Sequence, residues 1–463
     1  MVRRLLDLPR TPLVLLGVVS LLSLGARAAL LGEPCQSPCH KATDHTLVFD
    51  EAYYVNAARV IAGIRPPAGA HYADAPLGTD PNAEHPQLVK LIMAGGIELF
   101  GDGPFAWRIG SLIFGSIAIL GMFALVRAAG GSRWSALGAS ALMACDNLLL
   151  IHGRIGTLDI YAAAAMIWTV ALYLRGRPLL AGLALAIGSA FKLVAPYVIA
   201  VLVLLEVARV VTRLRDRGSP DEWRCQPTLR RLAICIFTGA GVFMGLLGVM
   251  DQIATPYNDA AAKLITGGPF DHLAHMVTYA AQQVSPNGPK GIASYPWAWL
   301  IDLEPITYLR INPSQPGGGL YAIHPVSKFI GMVSPPIMLL ALPALAFAGY
   351  RFLRLRPVGG DDRAGGRASA AVDGYAGQTQ LAIVGVAWFI GTWAPFAVLS
   401  LIDQRTSYLY YMVVVMPGIY IAVTYLVSWA WALGRRAVSA LVVTWALSVL
   451  VAAIVMYPFT PFF

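Results

Sequence analysis

The chain has 463 residues, of which 57% are hydrophobic and only 13% are charged, and its mean hydropathy is +0.63. Soluble domains carry roughly 25% charged residues, so this composition excludes a soluble globular protein and indicates a polytopic α-helical membrane protein. The formal net charge of +9 comes from 34 basic and 25 acidic residues, and it has to be divided between the two faces of the membrane.

Apolar runs of about 20 residues, the length that spans a bilayer, mark the candidate transmembrane helices. The apolar stretch 178–208 is interrupted by Lys192 and Pro196 and predicts two short helices. Together with the long runs, this gives about eleven spans. The long runs cover residues 11–31, 105–127, 133–151, 156–174, 231–250, 328–350, 380–402, 408–431 and 437–458.

The basic residues indicate the orientation of these spans. Three arginines, Arg3, Arg4 and Arg10, precede the first span, and no clear small-residue cleavage site follows, which predicts an uncleaved anchor with a cytoplasmic N-terminus. Alternating from there puts 21 basic and 8 acidic residues on the inner face and 13 basic and 17 acidic residues elsewhere. The positive charge therefore reports orientation in the membrane, and it is not the footprint of a nucleic-acid partner.

Two long loops, residues 32–104 and 251–327, fall on the outer face, and we name them the first and second long loops. Residues 209–230 and 353–378 are predicted inner connectors. Because long loops in compact proteins tend to be functional, we expect one transmembrane domain, 1–463, in the cell membrane, with an extracytoplasmic active site. Cys35 and Cys39 begin the first long loop, and the sequence leaves open whether they form a disulfide or stay as two thiols.

An acidic pair, Asp50 and Glu51, stands in the first long loop between the apolar triplet Leu47–Phe49 and an amphipathic helix predicted over residues 53–64. The plainer interpretation is a helix cap followed by a first-turn glutamate, because the helix dipole favours negative charge there. The alternative is a carboxylate that takes part in chemistry.

Ionisable groups near membrane depth are costly and are therefore functional candidates. Four cations are predicted near the outer face, where each could bind an anion: Lys90, Arg154, Lys192 and Arg405. Three of them have a plainer explanation. Lys90 could be a solvated lysine, Arg154 could form a structural pair with Asp146 or Asp159, and Lys192 could extend to the interface.

The second long loop holds two histidines, His272 and His275, three residues apart. This spacing suits a metal ion, but hydrogen-bonded or solvated histidines are the more common outcome near a membrane surface, and we predict no metal. Trp297 and Trp299 belong either to an interfacial aromatic belt or to a stacking wall for a sugar.

A carboxylate beside several cations at a lipid–water boundary suits transfer from a lipid-linked phosphate. The carboxylate serves as general base for an acceptor hydroxyl, and fixed cations stabilise the leaving phosphate. No Gly-rich nucleotide loop is present, so neither ATP nor a nucleotide sugar is predicted as the direct donor.

Five motifs follow one another along the chain. They are Phe49-Asp50-Glu51, His85-Pro86 with Lys90, Asp146-Asn147 with Arg154 and Leu158-Asp159, Tyr295-Pro296-Trp297-Ala298-Trp299, and the segment from Arg405 to Tyr411. In these motifs and in their order, the sequence resembles the protein O-mannosyltransferase family, whose members are membrane glycosyltransferases of the GT-C fold.

The resemblance implies an all-α GT-C fold and a donor that is a polyprenyl-phosphate-sugar, usually mannose. It also implies Ser or Thr hydroxyls of secreted proteins as acceptors, inversion at the anomeric carbon, and no required cofactor. By position, Asp50 would be the general base and Glu51 would position a substrate. The cations Arg154, Lys192, Arg405 and Lys90 would hold the donor phosphate. The remaining substrate contacts would be His85, Asp146, Asp159, Trp297 and Tyr408.

Four residues depart from the family pattern. Gln87 replaces a proline, His152-Gly153 replaces Gln-Ser, and Tyr410 replaces a histidine. The stretch Glu84–Pro86 keeps open a related branch, which transfers aminoarabinose to a lipid acceptor. A transporter or flippase of lipid-linked sugar is a third alternative. The enzyme is favoured over it, because the chain shows no internal repeat and its charges gather at one face.

Overall fold

The computed structural model describes residues 10–35, 39–215, 226–301, 305–311, 327–354 and 368–460, and every structural statement below refers to these residues. This part of the chain is mostly helical. The N-terminal Arg3 and Arg4 and parts of the predicted inner connectors lie outside it. Its α-helices are α1 Thr11–Ala28, α2 Glu51–Ile61, α3 Leu88–Phe100, α4 Pro104–Ala128, α5 Arg133–Cys145, α6 Asn147–His152, α7 Asp159–Leu174, α8 Pro178–Phe191, α9 Tyr197–Arg215, α10 Gln226–Ile253, α11 Pro269–Gln282, α12 Pro335–Arg354, α13 Ala368–Ile402, α14 Met412–Ala432 and α15 Arg436–Val455.

Within the described residues, seven helices are long and apolar enough to cross a membrane, and α7 and α8 are shorter apolar helices. The predicted class, a polytopic helical membrane protein, is therefore confirmed, and the count of about eleven spans stays a prediction. The seven candidates are Thr11–Ala28, Pro104–Ala128, Thr228–Ile253, Pro335–Leu353, Gln380–Ile402, Leu409–Ala432 and Arg436–Val455.

The span predicted over 133–151 is divided into α5 and α6. Asp146 separates them in an extended conformation, and its carboxylate accepts hydrogen bonds from the amides of Leu148 at 2.9 Å and Leu149 at 3.4 Å. An aspartate that satisfies the free amides of a first helical turn starts a new helix. The stretch 178–208, in contrast, forms the two predicted helices, and Lys192 follows the last residue of α8.

Short strands join the two long loops. β1 Thr79–Asp80 of the first long loop pairs in parallel with β2 Thr255–Asn258 of the second, and β2 continues antiparallel to β3 Lys263–Leu264. β4 Ile306–Ile311 pairs with β5 Ser327–Gly331. The β1–β2 ladder holds the two loops against each other, although its paired residues, Thr79 and Thr255, are 176 residues apart in sequence.

The helices pack around a central apolar core. α4 lies against α7, and α13 lies against α14. α14 is buried over most of its length, whereas α15 exposes large apolar side chains along its surface. An apolar exposed face of that kind suits lipid contact. In the first long loop, Cys35 and Cys39 form a disulfide, which decides the alternative that the sequence left open.

Candidate active site

Asp50 lies at the start of α2, directly after a residue with an unusual backbone. Phe49 has a φ of 56°, in the left-handed region, which a bulky residue adopts at a cost of roughly 1–3 kcal/mol. Its ring is held by stacking on Tyr308, at 4.1 Å between centroids, and by an edge contact with Tyr410 at 5.4 Å. Tertiary packing therefore fixes the conformation of the backbone that carries Asp50.

The capping interpretation of Asp50 is wrong, because its side chain accepts no hydrogen bond from the amides of α2. Burial raises the pKa of its carboxyl to about 7, while the Lys192 ammonium opposes this shift and the Asp159 carboxylate adds to it. Among the described residues, no donor occupies the Asp50 carboxylate. A half-buried, unoccupied carboxylate with a pKa near neutrality has the properties of a general base.

Asp159 and Lys192 form a buried ion pair beside Asp50. Their Oδ1 and Nζ atoms are 2.6 Å apart, and the two side chains are 2% and 8% exposed. The ammonium group also lies 5.2 and 5.5 Å from the ring centroids of Tyr410 and Tyr411. The second Asp159 oxygen, Oδ2, is buried and accepts no hydrogen bond in the described part of the chain. The pair thus keeps a cation and one free acceptor next to Asp50.

His152, at the end of α6, connects this pair to the second long loop. Its Nε2 lies 2.8 Å from the Tyr308 hydroxyl and its Nδ1 lies 3.1 Å from the Thr157 hydroxyl. Burial lowers the pKa of His152 to about 4, so the ring is neutral and donates through one nitrogen only. Nδ1 is also 3.7 Å from Asp159 Oδ2.

Glu51 is fully buried, and donors from the protein occupy both of its oxygens. Arg108 of α4 makes a two-point contact with it at 2.8 and 2.7 Å, and the amides of Val48 and Gly156 each donate to it at 2.7 Å. A Cβ on Gly156 would lie 3.1 Å from the Trp107 carbonyl oxygen, so a larger residue would crowd this contact. Glu51 therefore links α2 to Arg108 of α4 and to the backbone at Gly156. Its predicted contact with substrate stays a prediction.

Lys90 and Arg154, two of the predicted phosphate ligands, are buried and bound within the protein. Lys90 lies 2.6 Å from Asp80 and also donates to the carbonyls of Asn82 and His85. Arg154 donates to the carbonyl oxygens of Ala29 and Leu30, at 2.9 and 3.2 Å, and to the Tyr457 hydroxyl. Neither predicted partner of Arg154, Asp146 or Asp159, contacts it within the described residues. Both cations therefore have structural contacts that account for them.

Arg405 lies in a turn that pairs with the second long loop through the bridges Val284↔Arg405 and Ala293↔Tyr408. Its guanidinium donates to the Ala280 carbonyl at the end of α11. Its Nε is buried and has no partner among the described residues, and no carboxylate there forms an ion pair with it. Arg405 is thus a cation with a free donor.

The other predicted contacts divide into two groups. His85 is half-buried with its ring 5.9 Å from Tyr54; burial, followed by the charges of Lys192, Lys90 and Arg405, holds its pKa well below the usual range. Tyr408 is half-buried and stacks on Tyr410 at 5.5 Å. These two belong to the surroundings of Asp50. Asp146, in contrast, caps α6 and is fully buried, and Trp297 is exposed and stacks on Tyr295 at 4.5 Å.

Three residues of the site were not predicted from the sequence. Arg108 had a detectable signal, because it is an ionisable residue within an apolar run. Tyr54 also had one, because it lies four residues after Asp50, one turn along the predicted helix. Tyr308 had none, because only the fold brings it to the site. Burial raises the pKa of both hydroxyls; the Asp50 charge adds to this at Tyr54, and the charges of Asp159 and then Asp50 add to it at Tyr308.

One group of possible metal ligands is found among the described residues, formed by Cys35, Cys39 and His45 within 4.8 Å of one another. The disulfide uses both sulfur atoms, and thiolate, rather than disulfide sulfur, is the metal ligand. At His272, both ring nitrogens lie within hydrogen-bond distance of protein oxygens, those of Asp251 and Ala83.

Comparisons with known proteins identify similar sequences and a similar fold. Residues 84–217 match the family model described as dolichyl-phosphate-mannose-protein mannosyltransferase. The polyprenol-phosphate-mannose–protein mannosyltransferase of Corynebacterium glutamicum is 36% identical over 118 residues, which are 25% of this chain and 22% of that protein. The protein of the same name from Mycobacterium tuberculosis is 23% identical over 325 residues, 58% of this chain and 60% of that one.

Among solved structures, the S. cerevisiae protein O-mannosyltransferase Pmt1-Pmt2 complex bound to the sugar donor has a TM-score of 0.70. The similarity covers 99% of this chain and 91% of that one, with 13% sequence identity. The chain therefore shares that fold, and the predicted GT-C fold class is confirmed. The resemblance to the protein O-mannosyltransferase family is confirmed, although the matched segments span only 22% and 60% of the two curated relatives.

Proposed function

We propose that the protein is an inverting glycosyltransferase that moves a sugar, in the first place mannose, from polyprenyl phosphate to Ser or Thr hydroxyls of secreted proteins. The observation that carries this proposal is the unoccupied Asp50 carboxylate, with its pKa raised to about 7, beside the Lys192–Asp159 ion pair. A base and a cation side by side match the two needs of a hydroxyl acceptor and a phosphate leaving group.

In the proposed step, Asp50 takes the proton of the acceptor hydroxyl as its oxygen attacks the anomeric carbon from the face opposite to the phosphate. The new carbon–oxygen bond forms while the bond between that carbon and the phosphate oxygen breaks. The leaving polyprenyl phosphate keeps the electron pair. The acceptor proton ends on Asp50, and the configuration at the anomeric carbon is inverted. No metal ion or cofactor takes part in this scheme.

In this proposal, Lys192 and Arg405 stabilise the negative charge that develops on the leaving phosphate. The Lys192 charge acts on Asp50, and Arg405 has a buried donor, Nε, that is free among the described residues. Lys90 and Arg154 receive structural roles in this proposal, because their donors face protein acceptors. Asp159 supports the site through the ion pair, and its free oxygen can accept a hydroxyl of the sugar.

The names of the two curated relatives support mannose as the sugar and protein as the acceptor. We also propose that the N-terminus is cytoplasmic and that the site faces the outside of the cell membrane. There it would meet a lipid-linked donor and an exported polypeptide.

The test is transfer by the full-length protein in nanodiscs, with polyprenyl-phosphate-mannose and a Ser/Thr-rich peptide as substrates. We expect mannosyl-peptide with inverted anomeric configuration. Parallel reactions with polyprenyl-phosphate-aminoarabinose and lipid A examine the lipid-acceptor alternative, and donor translocation in proteoliposomes examines the flippase alternative. Product in either parallel reaction, with no mannosyl-peptide, would contradict the proposal.

A further inference from the structure

His272 joins the two long loops through both of its ring nitrogens. It is fully buried in the first turns of α11. Its Nδ1 lies 2.7 Å from the Asp251 carboxylate at the end of α10, and its Nε2 lies 2.9 Å from the Ala83 carbonyl oxygen in the first long loop. Three separate elements thus meet at one imidazole ring.

The hydrogen-bond partners of the ring indicate which of its two nitrogens carry a hydrogen. A carbonyl oxygen only accepts hydrogen bonds, so Nε2 must carry a hydrogen to bond to Ala83. An ionised Asp251 carboxylate also only accepts, and a bond to it requires a hydrogen on Nδ1. Hydrogens on both nitrogens make the ring an imidazolium, for which an ionised Asp251 is the counter-ion. The amide nitrogen of Gln87 donates to the same Asp251 oxygen at 2.6 Å, which is the arrangement expected of a negatively charged acceptor.

The segment that His272 holds is a turn over residues 82–87. Two other carbonyl oxygens of this turn, those of Asn82 and His85, accept hydrogen bonds from the Lys90 ammonium. The turn is therefore fixed from one side by Lys90, paired with Asp80, and from the other side by His272, paired with Asp251.

The same turn contributes to the surroundings of Asp50. His85 faces Tyr54, whose hydroxyl is subject to the Asp50 charge. At its other end, α11 provides the Ala280 carbonyl that binds Arg405. A displacement at His272 would therefore reach both the turn and the anchor of Arg405.

We propose that His272 is a positively charged positioning residue, and that its ion pair with Asp251 fixes the turn 82–87 and α11 around the active site. This inference rests on the proposed transfer reaction for its effect on activity, but not for its effect on structure. His275 of the same helix is half-buried and forms no ion pair or hydrogen bond among the described residues, which makes it a matched control.

The experiment compares His272→Gln, Asp251→Asn, the double variant and His275→Gln in nanodiscs. Hydrogen–deuterium exchange of the peptide that contains residues 82–87 reports the position of the turn without any substrate. Transfer from polyprenyl-phosphate-mannose to a Ser/Thr-rich peptide reports activity. If the wild type transfers no sugar, the proposed function fails, and the exchange measurement still decides this inference.

In His272→Gln we expect faster exchange of the 82–87 peptide and a transfer rate lower by about tenfold or more, because small displacements in a catalytic site have effects of that size. In His275→Gln we expect no change in either measurement. Glutamine leaves Asp251 as an unpaired buried carboxylate, so the double variant should recover part of the loss. Losses that simply add in the double variant would overturn the charge assignment. Exchange in His272→Gln equal to that in His275→Gln would overturn the positioning role.

Discussion

Lys192 and Asp159 are joined by a buried ion pair of 2.6 Å, and the charges of both act on the carboxyl of Asp50. The pair places a cation at the site without an excess of positive charge in an apolar environment. An unpaired ammonium buried there would be costly. The pair also leaves one Asp159 oxygen free among the described residues, so the site keeps a base, a cation and an acceptor of hydrogen bonds.

The first prediction concerns Lys192. Lys192→Ala removes a cation that would stabilise the leaving phosphate and should lower kcat by about 10²–10³-fold, the usual effect of losing one such donor. Lys192→Arg should keep part of the activity, because the charge remains. The measurement is the initial rate of mannosyl transfer, with the exposed Lys263→Ala as control. A Lys192→Ala rate equal to that of the control would exclude this role.

The second prediction concerns the donor affinity contributed by Arg405. A hydrogen bond to a charged group contributes about 1.5–3 kcal/mol, so Arg405→Ala should raise the KM for the polyprenyl-phosphate donor by roughly tenfold or more. The KM for the peptide should change little. Arg310→Ala, an exposed arginine of β4, is the control. An unchanged donor KM in Arg405→Ala would show that the guanidinium serves only to anchor α11.

The third prediction concerns Glu51 and Arg108. Removal of one partner of a buried ion pair costs about 3–5 kcal/mol, because the other charge is left without compensation. Arg108→Ala should therefore lower the thermal unfolding midpoint clearly, whereas Arg65→Ala, at an exposed position, should not. Differential scanning fluorimetry in detergent measures both. Equal midpoints for the two variants would contradict the structural role of this pair.

The sequence predicted the helical class and the hairpin of α8 and α9, because apolar runs are local patterns, and it marked Asp50 and Glu51 as an acidic pair. The role of Asp50 as general base came from the family resemblance and stays a prediction. The sequence did not reveal why Glu51 is buried, since its partner Arg108 lies 57 residues further along the chain. It also missed Tyr308, which β4 brings to Phe49 from the second long loop. Such contacts arise from the pairing of distant segments, and no local pattern encodes them.

The same limit applies to the cations. Lys90, Arg154, Lys192 and Arg405 look alike in the sequence as isolated charges near apolar segments. Only their partners separate them: Lys90 faces Asp80 and carbonyl oxygens, Arg154 faces carbonyl oxygens and a tyrosine, and Arg405 keeps a free donor among the described residues.

The fourth prediction concerns pH and stability at Asp50. Folding raises its pKa from an ordinary 3.8 to about 7, so the protonated form is favoured in the folded protein. The contribution of Asp50 to the free energy of unfolding is therefore fully present below the pKa of the unfolded state. It is lost as the pH rises through the folded-state pKa of about 7. Asp50→Asn, which cannot ionise, should therefore unfold at a higher temperature than the wild type at pH 8, and at about the same temperature at pH 4. A lower midpoint for the variant at pH 8 would contradict the unfavourable environment of the carboxylate.

The most direct test of the account is the rate of mannosyl transfer by the wild type and by Asp50→Asn, measured as a function of pH. For the wild type, kcat/KM should rise with pH and level off above about 7, because only the ionised carboxylate accepts the proton. The amide side chain of the variant offers no base, so the variant should lose at least about 10²-fold in kcat, with thermal stability retained. An Asp50→Asn variant that transfers mannose at the wild-type rate would contradict the central claim that Asp50 is the general base.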